Sequence, residues 1–254
     1  MTPRLSLQGR TALVTGGNGG LGLMIARGLR EAGARVVGAG RNPAKNIEAQ
    51  KCLDICLTLD VLDEAAIARV MDEVKPDIVV NAAGIVVAGA SSEVDAAAYN
   101  SVIHTHLTGS YLCARHAARN MHGGGKVINI GSMYSLFGSA AAGSYAAAKA
   151  GLLGLTRSLA VELAGRNIQV NIILPGWFRT ESTSGFVDTP LGEKIRTLTP
   201  ARRWGRARDI ADVAVFLASS ASDFITGAAI PVDGGYSITG GLTPEDWAPL
   251  IESP

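Results

Sequence analysis

Short runs of Val, Ile and Leu alternate along the chain with longer Ala-rich segments whose apolar residues recur at three- and four-residue spacing. Runs that are apolar at every position read as strands buried on both faces, and the three-to-four spacing reads as amphipathic helices packed over them. The pattern predicts strands over residues 11–15, 35–39, 55–59, 78–81, 126–130, 169–174 and 229–232. Helices are predicted over 20–32, 63–74, 95–121, 144–164 and 207–218. Alternation of this kind makes an α/β fold, a doubly wound parallel sheet of about seven strands with helices on both faces and right-handed crossovers. No repeat or low-complexity linker divides residues 1–254, so one domain is expected. The least regular stretch, about 179–203, is rich in Thr, Ser, Gly and Pro and is the expected place of a substrate lid.

The first predicted strand runs into Thr15-Gly16-Gly17-Asn18-Gly19-Gly20-Leu21-Gly22, and a helix starts inside that loop. A pyrophosphate needs close backbone approach and free N–H groups at the positive end of a helix, and Gly16, Gly20 and Gly22 remove the side chains that would obstruct it. Strand, glycine loop and helix in that order mark a Rossmann-type dinucleotide site, with a ligand-free glycine turn as the plain alternative. The second strand leads into Gly40-Arg41 rather than an acid. A carboxylate there would hold the ribose 2′-hydroxyl of NAD. Arg41 instead offers a planar guanidinium to a 2′-phosphate, which favours NADP and leaves NAD possible, since an arginine on a loop is also at home in solvent. Asp60 follows the third strand at the sheet edge where ligands bind, and is a candidate either to meet the adenine or to cap a helix.

Tyr145 and Lys149 stand four residues apart in the predicted 144–164 helix and so share a face. Tyrosine is a poor base near its ordinary pKa of about 10, but a neighbouring ammonium and an oxidised nicotinamide both favour the phenolate. Ser132 follows the fifth strand and can hold a substrate oxygen beside the phenol while hydride moves. Alone, each has a plainer reading as a surface pair or a turn cap. Together they point to hydride transfer between a nicotinamide and a ketone or secondary alcohol. Met133, Phe137, Trp177 and Phe178 are neighbours in sequence, candidates for an apolar pocket wall or for core.

Charge narrows the partners. With 23 basic and 22 acidic side chains the formal net charge is +1, which gives no electrostatic grip on nucleic acid or an anionic membrane. No apolar run approaches the roughly 20 residues of a membrane span. Cys52, Cys56 and Cys113 lack the four ligands of a structural zinc, so no metal is expected. Reduced thiols and no secretory leader before the first strand suggest a cytoplasmic protein. Trp247 and Leu250, near the C-terminus, are candidates for contact with another subunit or for a frayed end.

Over essentially its whole length the chain resembles the short-chain dehydrogenase/reductase family. The matching elements, in order, are the Thr15 to Gly22 loop, Asp60-Val61, Asn81-Ala82-Ala83-Gly84, Ser132, Tyr145 with Lys149, and Pro175-Gly176 followed by Thr180. The resemblance implies that Ser132 orients the carbonyl and that Tyr145 donates or accepts the proton. It implies that Lys149 lowers the tyrosine pKa and binds the nicotinamide ribose. It assigns Asn81, Ala83 and Gly84 to the cofactor wall, and the Phe178 backbone and Thr180 to the carboxamide and phosphates. Asn18, Leu21, Val61, Pro175 and Gly176 complete the implied cofactor contacts. The likeness extends to gluconate 5-dehydrogenase and 2-deoxy-gluconate 3-dehydrogenase members, implying a small polar substrate such as a sugar acid or polyol, and to a homotetrameric assembly through the two long helices. A 3-oxoacyl-thioester reductase shares every motif, and Arg202, Arg203, Arg206 and Arg208 could serve its phosphopantetheine arm. A nucleotide-sensing regulator without turnover is the alternative of another class. Two positions depart from the pattern: Ala82 stands where a second Asn is common, with little effect expected because a small residue still lets the cofactor approach, and His106-Leu107-Thr108-Gly109 stands where the family has an Asn that supports a proton relay to the lysine. An imidazole that titrates near neutrality could take over that relay, or His106 is a packed helix residue; His104 should face elsewhere and be structural.

Overall fold

A computed structural model describes residues 5–239, and the candidates Trp247 and Leu250 lie outside the described residues. Seven strands, β1 Thr11–Thr15, β2 Arg35–Gly40, β3 Ile55–Thr58, β4 Ile78–Asn81, β5 Gly125–Ile130, β6 Ile168–Pro175 and β7 Ala229–Val232, form one sheet. The order is β3-β2-β1-β4-β5-β6-β7, with every pair parallel. Each strand lies within one residue of its expected bounds, because strands covered on both sides have no polar face to blur the pattern. The helices are α1 Gly20–Glu31, α2 Pro43–Ala49, α3 Glu64–Val74, α4 Ala96–Ile103, α5 Gly109–Asn120, α6 Gly143–Leu163, α7 Ser184–Val187, α8 Pro190–Leu198 and α9 Ala207–Ala218.

Successive strand residues serve opposite cores. Leu13, Val37, Val79 and Val127 pack with Ile67, Met71, Ala117 and Leu159, from α3, α5 and α6. Val14, Val36, Val80 and Ile128 pack on the other face with Ile25, Leu29, Ile210 and Leu217, from α1 and α9. Those two helices approach closely at Gly28, where a Cβ would stand 2.6 Å from the Ala211 Cβ. Successive strands are added outward in opposite directions from β1 and from β4, so the loops at their C-terminal ends part there and leave the crevice in which such sheets bind ligands.

Three features differ from expectation. The single helix over 95–121 is interrupted by a π-helical turn, His104–Thr108. The wider turn lets two consecutive residues, Thr105 and His106, both face inward, while His104 is exposed. The short helix α2 was not expected from periodicity, yet its start signal is present: the Asn42 side chain accepts from Ala44 N–H and Lys45 N–H, and Pro43 follows at the first helical position. The 179–203 stretch is not irregular but carries a turn, Glu181–Thr183, then α7 and α8, folded around Val187, Ile195 and Trp204. Thr189 caps α8 ahead of Pro190, the same signal overlooked at α2.

Candidate active site

The glycine loop divides its labour. Gly16 sits at φ +67°, and a Cβ there would be 2.7 Å from the Ala82 carbonyl oxygen; a Cβ on Gly22 would collide with the Gly16 carbonyl. These two glycines permit backbone-on-backbone packing. Gly19 and Gly20 meet nothing within 4 Å and open onto the cleft. No side chain caps α1 at Gly19, so its first N–H groups are left for an anion. The loop therefore fits the pyrophosphate of a dinucleotide.

Asn18 is pinned by donating to Asn46 Oδ1 at 2.7 Å, and the buried Asn46 amide donates in turn to Gly40 O at 2.9 Å and Thr58 Oγ1 at 3.2 Å. This network fixes the end of β2 and sets Arg41 at the rim. A cavity of about 290 Å³ opens there, lined among others by Gly16, Arg41, Lys45, Leu59, Val61 and Thr105. Through Gly16, Asn18, Lys45 and Gly84 it continues into a cleft of about 610 Å³ that carries Ile85, His106, Ser132, Tyr145, Lys149 and Gly176.

Ser132, at the end of β5, accepts from Tyr134 N–H at 3.2 Å and is buried. Tyr145 and Lys149 stand one turn apart on α6 and line the same cleft as Ser132. Burial pushes the Tyr145 phenol up to about 12, against a hydrogen bond from Ser132 that pulls it down and a smaller upward push from Tyr134. The Lys149 Nζ lies 5.4 Å from the centroid of the Tyr145 ring and donates to the Ile130 carbonyl. Burial holds this amine down from 10.5 to about 7. Burial penalises phenolate and ammonium alike, so in the protein alone the phenol stands high and the amine low.

His106 is clamped. Its Nε2 lies 2.7 Å from Ile85 O and 3.1 Å from Ile85 N, and its ring meets the Tyr145 ring edge-on at 5.0 Å between centroids. A Cβ on Gly84 would stand 2.2 Å from its Cε1, so the glycine makes room for the imidazole. Burial first, then the Lys149 charge, lower its pKa to about 3, against a hydrogen bond to Ile85 that raises it. With its pKa held this low, the imidazole is neutral at neutral pH.

Several expected residues lie off the cleft wall. Asp60 accepts from Leu62 N–H at 3.0 Å and lies 3.9 Å from Arg41, while its neighbours Leu59 and Val61 face the cavity. Asn81 is buried, joining β4 to β5 by donating to Asn129 Oδ1 at 2.9 Å. Phe178 packs on Gly205, Met133 is buried, and Thr180 lines a groove between α1 and α9. Leu21, Ala82, Gly84, Pro175 and Gly176 do line the cleft, and Ala83 lines the cavity. Of the four arginines offered for an acyl-carrier arm, Arg203 is paired with Asp209 and Arg208 faces the α1–α9 groove. Sequence reading missed Lys45, Thr105, Glu181 and Ser182 on the cleft wall, and Tyr134, whose ring links Tyr145 at 6.3 Å to Phe137 at 5.4 Å and Trp177 at 6.5 Å. The Asn42-Pro43 helix start was the signal for Lys45; nothing local marks the others. Among the described residues no group of His, Cys, Asp and Glu could hold a metal, and no helix is long and apolar enough to cross a membrane.

A family model described as Enoyl-(Acyl carrier protein) reductase matches residues 16–237. A 2-dehydro-3-deoxy-D-gluconate 5-dehydrogenase of Formosa agariphila is 39% identical over 249 residues, covering 92% of this chain and 94% of that one. A 3-oxoacyl-[acyl-carrier-protein] reductase of Salmonella typhimurium is 37% identical over 241 residues, covering 91% and 98%. Among solved structures, a gluconate 5-dehydrogenase from Burkholderia cenocepacia in complex with NADP and tartrate superposes with a TM-score of 0.86 at 35% identity, over 92% of this chain and 97% of that one.

Proposed function

Because the chain belongs to the short-chain dehydrogenase/reductase family and is an NAD(P)-dependent oxidoreductase, we propose that it uses NADP to interconvert a secondary alcohol and a ketone on a sugar acid or polyol. The observation that carries the chemistry is the meeting of Ser132, Tyr145 and the buried Lys149 on one wall of the cleft that begins at the glycine loop. The nicotinamide, when bound, supplies or takes the hydride. Ser132 and Tyr145 hold the substrate oxygen between them, and Tyr145 passes the proton to or from it. Lys149, anchored to the Ile130 carbonyl, presents its amine to the ribose and, when protonated, favours the phenolate. His106 acts as a positioning residue: neutral and fixed to Ile85, it holds the cleft wall against the Tyr145 ring.

The choice of NADP rests on Arg41 at the cavity rim and on NADP in the related gluconate 5-dehydrogenase structure. The substrate class rests on the relatives' names and on their identity over more than nine-tenths of the chain. The test is a panel of sugar acids and polyols with NADP, and of 3-oxoacyl thioesters with NADPH, followed by nicotinamide absorbance. Turnover on sugar acids is expected; turnover confined to thioesters overturns the substrate assignment. The protein assembles as a homotetramer through α5 and α6, whose outer stripe Ala147, Ala150, Gly154, Ser158 and Val161 is exposed and admits close helix approach. Sedimentation as a monomer would contradict this.

A further inference from the structure

Arg41 is not the only cation at the ribose end of the cleft. Lys45 stands in the first turn of α2 and lines both the 290 Å³ cavity and the cleft that carries Tyr145. Its ammonium lies 2.6 Å from Glu181 Oε2, a partner 136 residues away in the chain. Glu181 opens the turn Glu181–Thr183 in the stretch after β6, and with Ser182 it lines the same cleft. The ion pair therefore spans the cleft mouth, from the nucleotide-binding half to the segment over the chemical half. The other cations in the cleft are held differently: Arg41 lies 3.9 Å from Asp60 beside it, and Lys149 is buried against the Ile130 carbonyl.

We propose that Glu181 competes with the 2′-phosphate of NADP for Lys45, so that this ion pair tunes the preference between NADP and NAD and straps the 181–183 turn across the cleft until the phosphate takes the lysine. The proposal rests on the reading that the 2′-phosphate lies at the Arg41 rim. Both side chains are substantially exposed, 46% for Lys45 and 71% for Glu181, and such a pair is weak enough to exchange. A phosphate monoester carries about −1.5 to −2 charge and three acceptor oxygens, so it outbids a single carboxylate and repels Glu181 once in place. The 2′-hydroxyl of NAD is neutral and leaves the pair closed. Lys45 thus becomes a specificity residue, and Glu181 a residue that weakens NADP binding without touching the phosphate.

The test is the dissociation constant of NADPH and of NADH, by fluorescence, for the wild-type chain, Lys45→Gln, Glu181→Gln and the double variant, with thermal unfolding of each to confirm folding. Glu181→Gln is expected to tighten NADPH about two- to fivefold, the strength of an exposed ion pair, with little change for NADH. Lys45→Gln is expected to weaken NADPH about tenfold or more, and in its background Glu181→Gln should no longer tighten NADPH. An equal effect of Glu181→Gln on both cofactors, or an unchanged effect in the Lys45→Gln background, overturns the competition. If Lys45→Gln shifts the NADPH/NADH ratio but Glu181→Gln does not, the strap alone is refuted. If neither Arg41→Ala nor Lys45→Gln shifts that ratio, the placing of the 2′-phosphate is wrong, and the proposal falls with it.

Discussion

Replacing Lys149 by Met should stabilise the protein at neutral pH and destabilise it at high pH. The side chain is 4% exposed, and burial lowers its amine from 10.5 to about 7. Between those two pH values the unfolded chain holds a proton that the folded chain has released, so native stability rises with pH across that window. At about 1.36 kcal/mol per pH unit, the amine costs about 4 kcal/mol at pH 7 relative to a side chain that does not titrate. Methionine of similar length removes that cost but leaves the Ile130 carbonyl without its donor, a loss of about 1–3 kcal/mol. The net expectation is a gain of about 1–3 kcal/mol at pH 7, worth about 2–4 °C in Tm for each kcal/mol in a domain of this size. Near pH 10.5 the unfolded amine is itself losing its proton, the titration gain fades, and the missing hydrogen bond makes the variant the less stable of the two. Urea unfolding of both proteins without cofactor, at pH 7 and near pH 10.5, reads this directly. A variant less stable than wild type at pH 7, or a stability difference that does not move with pH, would refute the reasoning. Turnover should be nearly abolished in the same variant, so that stability and activity part company at one buried amine.

Tyr145→Phe is expected to lose at least about a hundredfold in kcat, as for removal of a general acid, with NADPH binding retained; unchanged turnover sinks the proposed proton transfer. Arg41→Ala should weaken NADPH more than NADH in a binding titration, and equal weakening would mean that Arg41 does not read the 2′-phosphate. His106→Asn should fold as well as wild type to within about 1 kcal/mol, because an amide can accept from Ile85 N–H and donate to Ile85 O together, where one imidazole nitrogen can serve only one of them. His106→Ala strands those groups and should cost about 2–4 kcal/mol in urea unfolding. Equal stability of the Asn and Ala variants would show that the clamp on Ile85 is not what His106 provides.

The seven strands, the nucleotide loop and the Ser132, Tyr145, Lys149 set were all legible along the chain. A strand buried on both faces writes itself as an unbroken apolar run, and a phosphate loop needs its glycines at particular steps whatever surrounds it. Two residues one helical turn apart share a face by geometry alone. Other features depend on partners distant in sequence. That Thr105 and His106 both turn inward is decided by a π-turn against Ile85, which lies 21 residues earlier. That Asn81 turns to Asn129, 48 residues away, and that Asp60 meets Arg41 are decided in the same way. The pairing of Lys45 with Glu181 exists only because the sheet brings α2 and the segment after β6 to one edge. Local pattern thus determined the strands, most of the long helices and which residues are candidates for the chemistry. Which side chains meet, and how burial sets the protonation of Tyr145, Lys149 and His106, only the tertiary structure decided, because desolvation is a property of everything packed around a group and not of its neighbours along the chain.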